Sequence, residues 1–349
     1  MKKIQEKEVT LIHHKNKDQK TFVMRQFAPG EEDAVLECIT EEYGDTYYRR
    51  EFYDKYKLRQ MTESGSLLLF LAWCGDDVCG MQTIISFEPE ETRLEAASQV
   101  FRKIYRGYGL PFELVKYTYE VAESLKPSCI YASTVLFHKI TQTMCEEVGM
   151  IPVAFNFGSH LTSKMQNSFA LGASEKYGQA ILILPVDKTD AGDVYIHNEI
   201  AESVERLYRN LGVAYNIISS KTQNDCSEIP LESELKISVN EREQSISIKV
   251  YAIGQDLMDR VREVKKEYSG EYWTIQLILP VDNASALTAY EGLREEKFFY
   301  AGIRPLCSEK EQIFMQYTGN VYFDFDDFKL TEGFKLLLKD ILRFRCQKY

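Results

Sequence analysis

The residues best suited to chemistry lie in one short segment, Tyr105-Arg106-Gly107-Tyr108-Gly109-Leu110-Pro111. It follows a predicted strand and precedes a predicted helix, so several backbone N–H groups can point at one place, at the positive end of a helix dipole. Arg106 adds a fixed positive charge, and Pro111 costs little at the start of a helix because the first helical position needs no intrahelical N–H. Such a turn suits a pyrophosphate. The alternative is an ordinary strand-to-helix turn in which the glycines only supply unusual backbone angles.

Two common phosphate motifs do not fit this segment. No acidic residue lies about 20 residues further on in a repeating βαβ array, and no Gly-Lys-Ser/Thr string is present. Residues 21–160 resemble instead the GNAT N-acetyltransferase superfamily, whose fourth strand leads into an Arg/Gln-x-x-Gly-x-Gly/Ala loop. The Arg-Gly-x-Gly core is present here. With Gly107 and Gly109 as the motif glycines, Ile104 takes the leading position; with Arg106 leading, Pro111 takes the last one.

The resemblance implies that the ligand is acetyl-CoA or another acyl-CoA, with no metal. It implies that the pantetheine arm lies along the strand before the loop and that loop N–H groups bind the phosphates. The implied cofactor-binding residues are Val100, Phe101 and Arg102 on the strand, and Arg106, Gly107, Tyr108, Gly109 and Leu110 in the loop.

Acyl transfer to an amine needs a base, donors for an oxyanion and an acid for the leaving thiolate. The resemblance implies that Glu95, on the strand before the loop, is the base; a solvent-facing glutamate is the alternative. His138 stands where the superfamily usually has Asn and titrates in the useful range, although a histidine that only caps the helix fits equally well. Cys145 stands where many members have the tyrosine that protonates the thiolate. A buried helical cysteine is otherwise a small hydrophobe.

The elements that must position these residues follow from hydrophobic periodicity and turn residues. Residues 1–20 are expected to form a solvated arm, because their lysines are interrupted by acidic residues. The predicted strands of the first half are Thr21–Phe27, Leu67–Cys74, Val78–Ser86, Thr92–Phe101, Cys129–Phe137, Met150–Phe157 and Gln179–Val186, and the predicted helices are Glu31–Thr40, Tyr47–Met61, Phe112–Leu125 and His138–Val148.

The second half repeats the strand, helix, strand, helix, strand ending of the first. Its predicted strands are Leu235–Val239, Ser245–Val250, Trp273–Pro280, Phe298–Ile303 and Gln312–Phe323, and its helices Glu199–Asn210, Gln255–Tyr268, Ala284–Glu296 and Thr331–Arg345. Leu277–Pro305 resembles the closing unit of a GNAT domain, but Val250–Gln255 lacks an Arg-Gly-x-Gly string, so we expect no CoA there. The expected fold is α+β, with two GNAT-like domains at 21–190 and 191–349, each a mostly antiparallel sheet flanked by helices; the second is degenerate.

Composition narrows the classes of partner. The 349 residues carry a formal charge of −11, and no long basic patch offsets it, so neither nucleic acid nor a membrane surface is an expected partner. The longest apolar run, Leu67–Cys74, has eight residues, whereas a membrane helix needs about 20. The eight cysteines are scattered, which favours reduced thiols in a cytoplasmic protein, and Cys74 and Cys79 lack the neighbours of a zinc site.

These observations lead to one main hypothesis and two alternatives. The main hypothesis is an acyl-CoA-dependent N-acyltransferase that acts on a small-molecule amine. The first alternative is a non-catalytic acyl-CoA-binding or regulatory module. The second is an aminoacyl transferase that uses charged tRNA, which the tandem layout resembles but the acidity disfavours. The sequence leaves the acceptor and the oligomeric state open.

Overall fold

The structure is a computed structural model that describes residues 4–86, 92–164, 172–187, 192–219, 229–305 and 310–346. The described chain forms two compact units, the first ending at Ala132 and the second beginning at Ser133. The expected boundary near residue 190 therefore lies inside the second unit.

Unit 1 is a sheet with strand order β1-β2-β3-β4-β5-β6, in which every neighbouring pair is antiparallel except the parallel pair β5 and β6. Its strands are β1 Lys7–Ile12, β2 Gln19–Gln26, β3 Leu67–Cys74, β4 Asp77–Ile85, β5 Leu94–Phe101 and β6 Cys129–Val135, the last of which continues into unit 2. Its α-helices are α1 Glu32–Tyr43, α2 Lys55–Glu63 and α3 Leu110–Ser124, and 3-10 turns occupy Arg50–Tyr53 and Lys103–Tyr105.

The predicted solvated arm is wrong for residues 7–20. β1 pairs with β2 along its whole length, from Lys7 opposite Met24 to Ile12 opposite Gln19. Val9 and Leu11 alternate with exposed residues along the strand, and the hydroxyls of Thr10 and Thr21 meet across it at 2.9 Å. This alternation of partly buried and exposed residues is short and flanked by lysines, so the sequence pattern resembles that of a solvated segment.

The predicted helix Tyr47–Met61 is wrong in its first half. Asp54 is the N-cap of α2, where its Oδ1 accepts hydrogen bonds from the N–H groups of Tyr56 and Lys57 at 3.0 Å. A capping side chain of this kind fixes a helix start, and the residues before it are then free to adopt other backbone angles. Arg49 is accordingly extended, at φ −84° and ψ 90°.

Amphipathic helices cover the sheet of unit 1. Val35 and Ile39 of α1 lie in one buried cluster with Leu69 and Leu71 of β3, which is buried on both faces as its continuous apolar run predicts. In α3, Val115, Tyr119 and Ala122 are buried, as their spacing predicts; the helix begins at Leu110, so that Pro111 is its second residue.

Unit 2 contains a mostly antiparallel sheet with strand order β8-β7-β14-β15-β13-β12-β11, and a separate parallel pair, β9 and β10. Its strands are β7 Ile151–Leu161, β8 Lys176–Pro185, β9 Asp193–Tyr195, β10 Asn216–Ile218, β11 Glu234–Asn240, β12 Ser245–Ala252, β13 Thr274–Pro280, β14 Phe299–Arg304 and β15 Gln312–Tyr317. Its α-helices are α4 Ile140–Glu147, α5 Asn198–Leu211, α6 Leu257–Glu267, α7 Ser285–Glu295 and α8 Glu332–Cys346.

The predicted fold class is confirmed: the described chain is mixed α and β, with a mostly antiparallel sheet flanked by helices. The last predicted strand is too long, because a turn at Thr318 and Gly319, the latter at φ +54°, ends β15 at Tyr317. In the second half, β12, α6 and β13 form a parallel crossover, and β13 and β14 each pair antiparallel with β15.

At one point in unit 2, β7 and β14 approach very closely. Gly302 lies opposite Ala154 at φ +128°, and a Cβ there would lie 2.3 Å from the oxygen of Val153. Only glycine allows this backbone approach, because any side chain would overlap the facing strand.

A buried ammonium organises another part of unit 2. Lys176 is fully buried, and its Nζ donates to the carbonyls of Gln244 and Tyr272 at 2.9 Å and to Thr274 Oγ1 at 3.2 Å. Gln244 and Tyr272 are both non-glycine residues with positive φ, at 49° and 71°. The three donors of the ammonium thus hold two carbonyls that belong to strained backbone. Burial lowers the pKa of Lys176 to about 7, although the charge of Glu243 opposes this shift.

Candidate functional site

The site is built around β5, whose pairing changes along its length. Only Leu94, Glu95 and Ala96 pair with β6, whereas β5 continues to Phe101. On its other edge, Met81 pairs with Val100 and Thr83 with Ala97, so that one residue of β4 faces two residues of β5. This is a β-bulge, and Ser98 within it has φ +52°. Within unit 1, the edge of β5 beyond Ala96 therefore lacks the ladder partner that its first three residues have.

Along β5, the backbone groups of alternate residues point towards β4, and this alternation decides which of them a ligand could reach. The N–H of Arg102 donates to Cys79 O at 2.9 Å, so it points towards β4 and is not available to a ligand. This corrects the expectation that Arg102 would contact a pantetheine arm through its backbone. The backbone N–H and C=O groups of successive strand residues point to opposite edges, so those of Phe101 point away from β4 and those of Val100, like that of Arg102, point towards it.

The glycine loop runs from β5 into the longest helix of unit 1. Gly107 and Gly109 have φ of +92° and +79°, and Gly109 is the N-cap of α3. A Cβ at Gly109 would meet nothing within 4 Å, so open space lies beside the first turn of the helix. Gly109 thus places no side chain beside the N-terminus of α3, the end of a helix where an anion is stabilised.

The turn between β1 and β2 packs against Gly107 and Tyr108. The backbone N–H of His14 donates to Gly107 O at 3.0 Å, and His14 Nδ1 lies 2.9 Å from the same oxygen. The His13 ring meets the Tyr108 ring edge-on at 4.9 Å, and the Tyr108 hydroxyl donates to Asp18. The residues expected to be a solvated arm therefore support one side of the loop.

The two arginines beside the loop are paired with carboxylates of α1. Arg106 Nη2 donates to Glu42 Oε2 at 2.6 Å, so the charge expected to face a phosphate faces a glutamate in this structure. The guanidinium of Arg102 contacts Glu37 and Glu41, each at 2.8 Å. The first turn of α3 therefore does not depend on either guanidinium to attract an anion.

Glu95 is buried, so the alternative of a solvent-facing strand residue is wrong. Its Oε2 accepts a hydrogen bond from Arg49 Nη2 at 3.0 Å, and the two side chains are 11% and 9% exposed. Burial raises the pKa of Glu95, and the charges of Arg49 and Arg93 oppose that shift. A carboxylate with a raised pKa is a better proton acceptor at neutral pH than an exposed one.

His138 and Cys145 lie in unit 2, next to and within α4. Lys139 is the N-cap of that helix and makes no capping side-chain bond, so His138 is not the cap residue that the alternative reading expected. Burial lowers the pKa of His138, which keeps its imidazole neutral at neutral pH. Cys145 is buried, with 3% of its surface exposed, in keeping with a small hydrophobe.

Sequence reasoning missed Arg49 and its neighbour Tyr48. Arg49 Nε donates to the Tyr48 hydroxyl at 2.9 Å, and the guanidinium lies 5.4 Å from the centre of the Tyr48 ring. Tyr47 packs beside them, 5.0 Å from Tyr48. The sequence signal for them was the string Tyr47-Tyr48-Arg49-Arg50 ahead of Asp54. Two tyrosines followed by two arginines indicate a segment that is not simply the solvated start of a helix.

The described residues contain no group of three or more His, Cys, Asp or Glu side chains arranged to hold a metal ion. None of the α-helices in the described ranges combines the length and the apolar character needed to span a bilayer.

No family model matches the sequence, and no curated protein matches it. Solved structures similar to the chain include an N-acetyltransferase from Staphylococcus aureus, with 11% identity and a TM-score of 0.40 over 48% of this chain and 99% of that one. An acetyltransferase of the GNAT family from Desulfovibrio desulfuricans has 13% identity and a TM-score of 0.38 over 48% and 99%. A Bacillus subtilis acetyltransferase in complex with CoA has 15% identity and a TM-score of 0.36 over 46% and 97%. All three are acetyltransferases, and the one from Desulfovibrio desulfuricans is described as a member of the GNAT family.

Proposed function

We propose that this chain is an acyl-CoA-dependent N-acyltransferase that transfers an acetyl group from acetyl-CoA to a small-molecule amine. The observation that carries the proposal is the course of β5. This strand bulges at Ser98, parts from β6 after Ala96, and leads through a glycine loop into the N-terminus of α3. One continuous backbone therefore offers hydrogen-bonding groups to an extended amide chain and then to phosphates.

The chemistry assigns a role to each part of the site. The amine nitrogen attacks the thioester carbonyl carbon, a C–N bond forms, and the C–S bond breaks. Glu95 accepts the proton that the ammonium loses, and a backbone N–H at the bulge around Ser98 stabilises the oxyanion. The departing thiolate takes up a proton from solvent, and the acid roles of His138 and Cys145, which lie in unit 2, stay predictions of the sequence.

Binding is tested first, by calorimetric titration of the full chain with acetyl-CoA. We expect binding, and we expect Gly109→Glu to abolish it because a carboxylate would then occupy the anion position at α3. Gly65→Glu is the matched control, since Gly65 also has a positive φ, +76°, and a Cβ there would also meet nothing within 4 Å. Absence of binding at millimolar acetyl-CoA would refute the proposal.

Turnover is tested by release of the CoA thiol over a panel of amines. Glu95→Gln should lower kcat/KM by about 10²- to 10⁴-fold, the usual contribution of a general base. Glu123→Gln, on α3, is the control and should change nothing. Activity that survives Cys145→Ala would exclude the Cys145 thiol as the acid.

A non-catalytic acyl-CoA-binding module is the second candidate. It is favoured by the burial of Cys145 and by the pairing of Arg106 with Glu42, which withdraws a charge from the loop. Tight binding of acetyl-CoA without thiol release for any amine would support this role and exclude the enzyme.

A further inference from the structure

The segment between α1 and α2 sends one arginine into the interior beside Glu95. Arg49 and Glu95 are 46 residues apart in sequence, and their side chains meet at 3.0 Å with about a tenth of each exposed. Arg49 is itself held, because its Nε donates to the Tyr48 hydroxyl at 2.9 Å and its Nη1 lies 3.7 Å from Glu51 Oε1. One guanidinium therefore fixes the Glu95 carboxylate in a single direction.

We propose that Arg49 is the positioning residue of Glu95: it orients the carboxylate and keeps it ionised, and it thereby sets the lower limit of the pH range in which the site accepts a proton. This inference rests on the proposed function, in which Glu95 is the base.

The groups around Glu95 support a specific role for Arg49. Two cations act on the carboxylate, and only Arg49 reaches it with a hydrogen bond given by the described contacts. Arg93 acts through its charge, while its Nε lies 3.3 Å from Cys129 Sγ and its guanidinium stacks on Tyr131 at 4.6 Å. Removal of Arg49 would thus leave burial as the main influence on the pKa of Glu95, and burial favours the neutral acid.

A purely structural role is a weaker explanation of the pair. Taking two charges out of water is costly, and apolar side chains of similar volume often stabilise a fold as well as a buried ion pair does. Both the carboxylate and its partner are needed, however, if the site must hold a proton acceptor away from water.

The test compares Arg49→Gln, Arg49→Lys and the control Arg50→Gln. Arg50 is the adjacent arginine, but it donates to the carbonyl of Asp45 and stacks on Tyr53 instead. The first readout is a pH titration of the Glu95 side-chain carbon by NMR on chain labelled with ¹³C-glutamate, with the signal assigned by its loss in Glu95→Gln. The second is the acid limb of the pH profile of CoA release, and thermal unfolding checks that each variant is folded.

We expect Arg49→Gln to move the Glu95 midpoint upwards by about 1 pH unit or more, as loss of an adjacent opposite charge does. Arg49→Lys keeps the charge and should move it less, and Arg50→Gln should not move it. The acid limb of activity should follow the NMR midpoint. An unchanged midpoint in folded Arg49→Gln would overturn the inference. A shifted midpoint in a chain that releases no CoA in any variant would instead refute the proposed function, and with it the use of the pair in catalysis.

Discussion

Replacement of Gly107 by alanine tests whether the β1–β2 turn supports the glycine loop. A Cβ at Gly107 would lie 2.5 Å from His13 Nε2 and 3.0 Å from His14 Nδ1, whereas one at Gly109 would meet nothing within 4 Å. Both glycines have positive φ, so both substitutions carry backbone strain. The difference in stability between the two variants therefore measures the contact between Gly107 and the β1–β2 turn.

The expected loss of stability follows from the backbone strain and from the contacts that the turn would lose. A non-glycine residue in the left-handed region costs about 1–2 kcal/mol, which both variants share. The Cβ would in addition push aside the two imidazole rings, which breaks the contact of His14 Nδ1 with Gly107 O, at about 1 kcal/mol. Gly107→Ala should therefore lower the free energy of unfolding of unit 1 by about 1 kcal/mol more than Gly109→Ala does.

The chain has a convenient probe for this measurement. Its two tryptophans lie in different units, Trp73 in β3 and Trp273 before β13, so Trp273→Phe leaves a fluorophore that reports unit 1. Urea unfolding is followed in that background, and His13→Ala is added to Gly107→Ala to complete a double-mutant cycle. If Gly107→Ala is no more destabilising than Gly109→Ala, or if His13→Ala shows no coupling to it, the support of the loop by the turn is refuted.

Three further outcomes are expected. Lys176 has a pKa of about 7 in place of its ordinary 10.5, so between these pH values the unfolded chain binds more protons than the folded chain. The free energy of unfolding of unit 2 should therefore rise with pH in this range. Lys176→Met should remove the rise, measured by unfolding that is followed through Trp273 fluorescence. Gly302→Ala should destabilise unit 2 by about 2 kcal/mol or more, because its Cβ overlaps the facing strand, and an unfolding curve like that of the unchanged chain would contradict the close approach. Tyr108→Phe removes the main cause that lowers the pKa of Asp18, so that pKa should move upwards in an NMR titration.

Most of the fold could be predicted from the sequence, because long periodic segments decide it. β3 is an unbroken apolar run, and α3 combines Pro111 near its start with apolar residues at helical spacing. β1 could not be predicted with the same rules, since its six residues carry two charges and are stabilised by pairing with β2 rather than by burial.

The candidate site also has one part that the sequence predicts and one part that it does not. The glycine loop is local, so the sequence contains it in full, including the positive φ that Gly109 requires. The burial of Glu95 and its partner Arg49 depend on how a segment 46 residues away folds back. No pattern within β5 contains that information, because a glutamate in a strand has the same local sequence whether water or an arginine faces it.

The close approach of β7 and β14 has a consequence for synthesis of the chain on the ribosome. β7 can pair with β8 as soon as residue 185 has been made, but its other edge must wait for β14, which begins about 140 residues after β7 ends. At about 5–20 residues per second, translation leaves that edge open for roughly 7–28 s. During this interval a strand containing Phe155 and Phe157 presents unpaired backbone groups to other nascent chains. A chaperone that shields β7 should therefore raise the yield of folded protein more than one that acts after release.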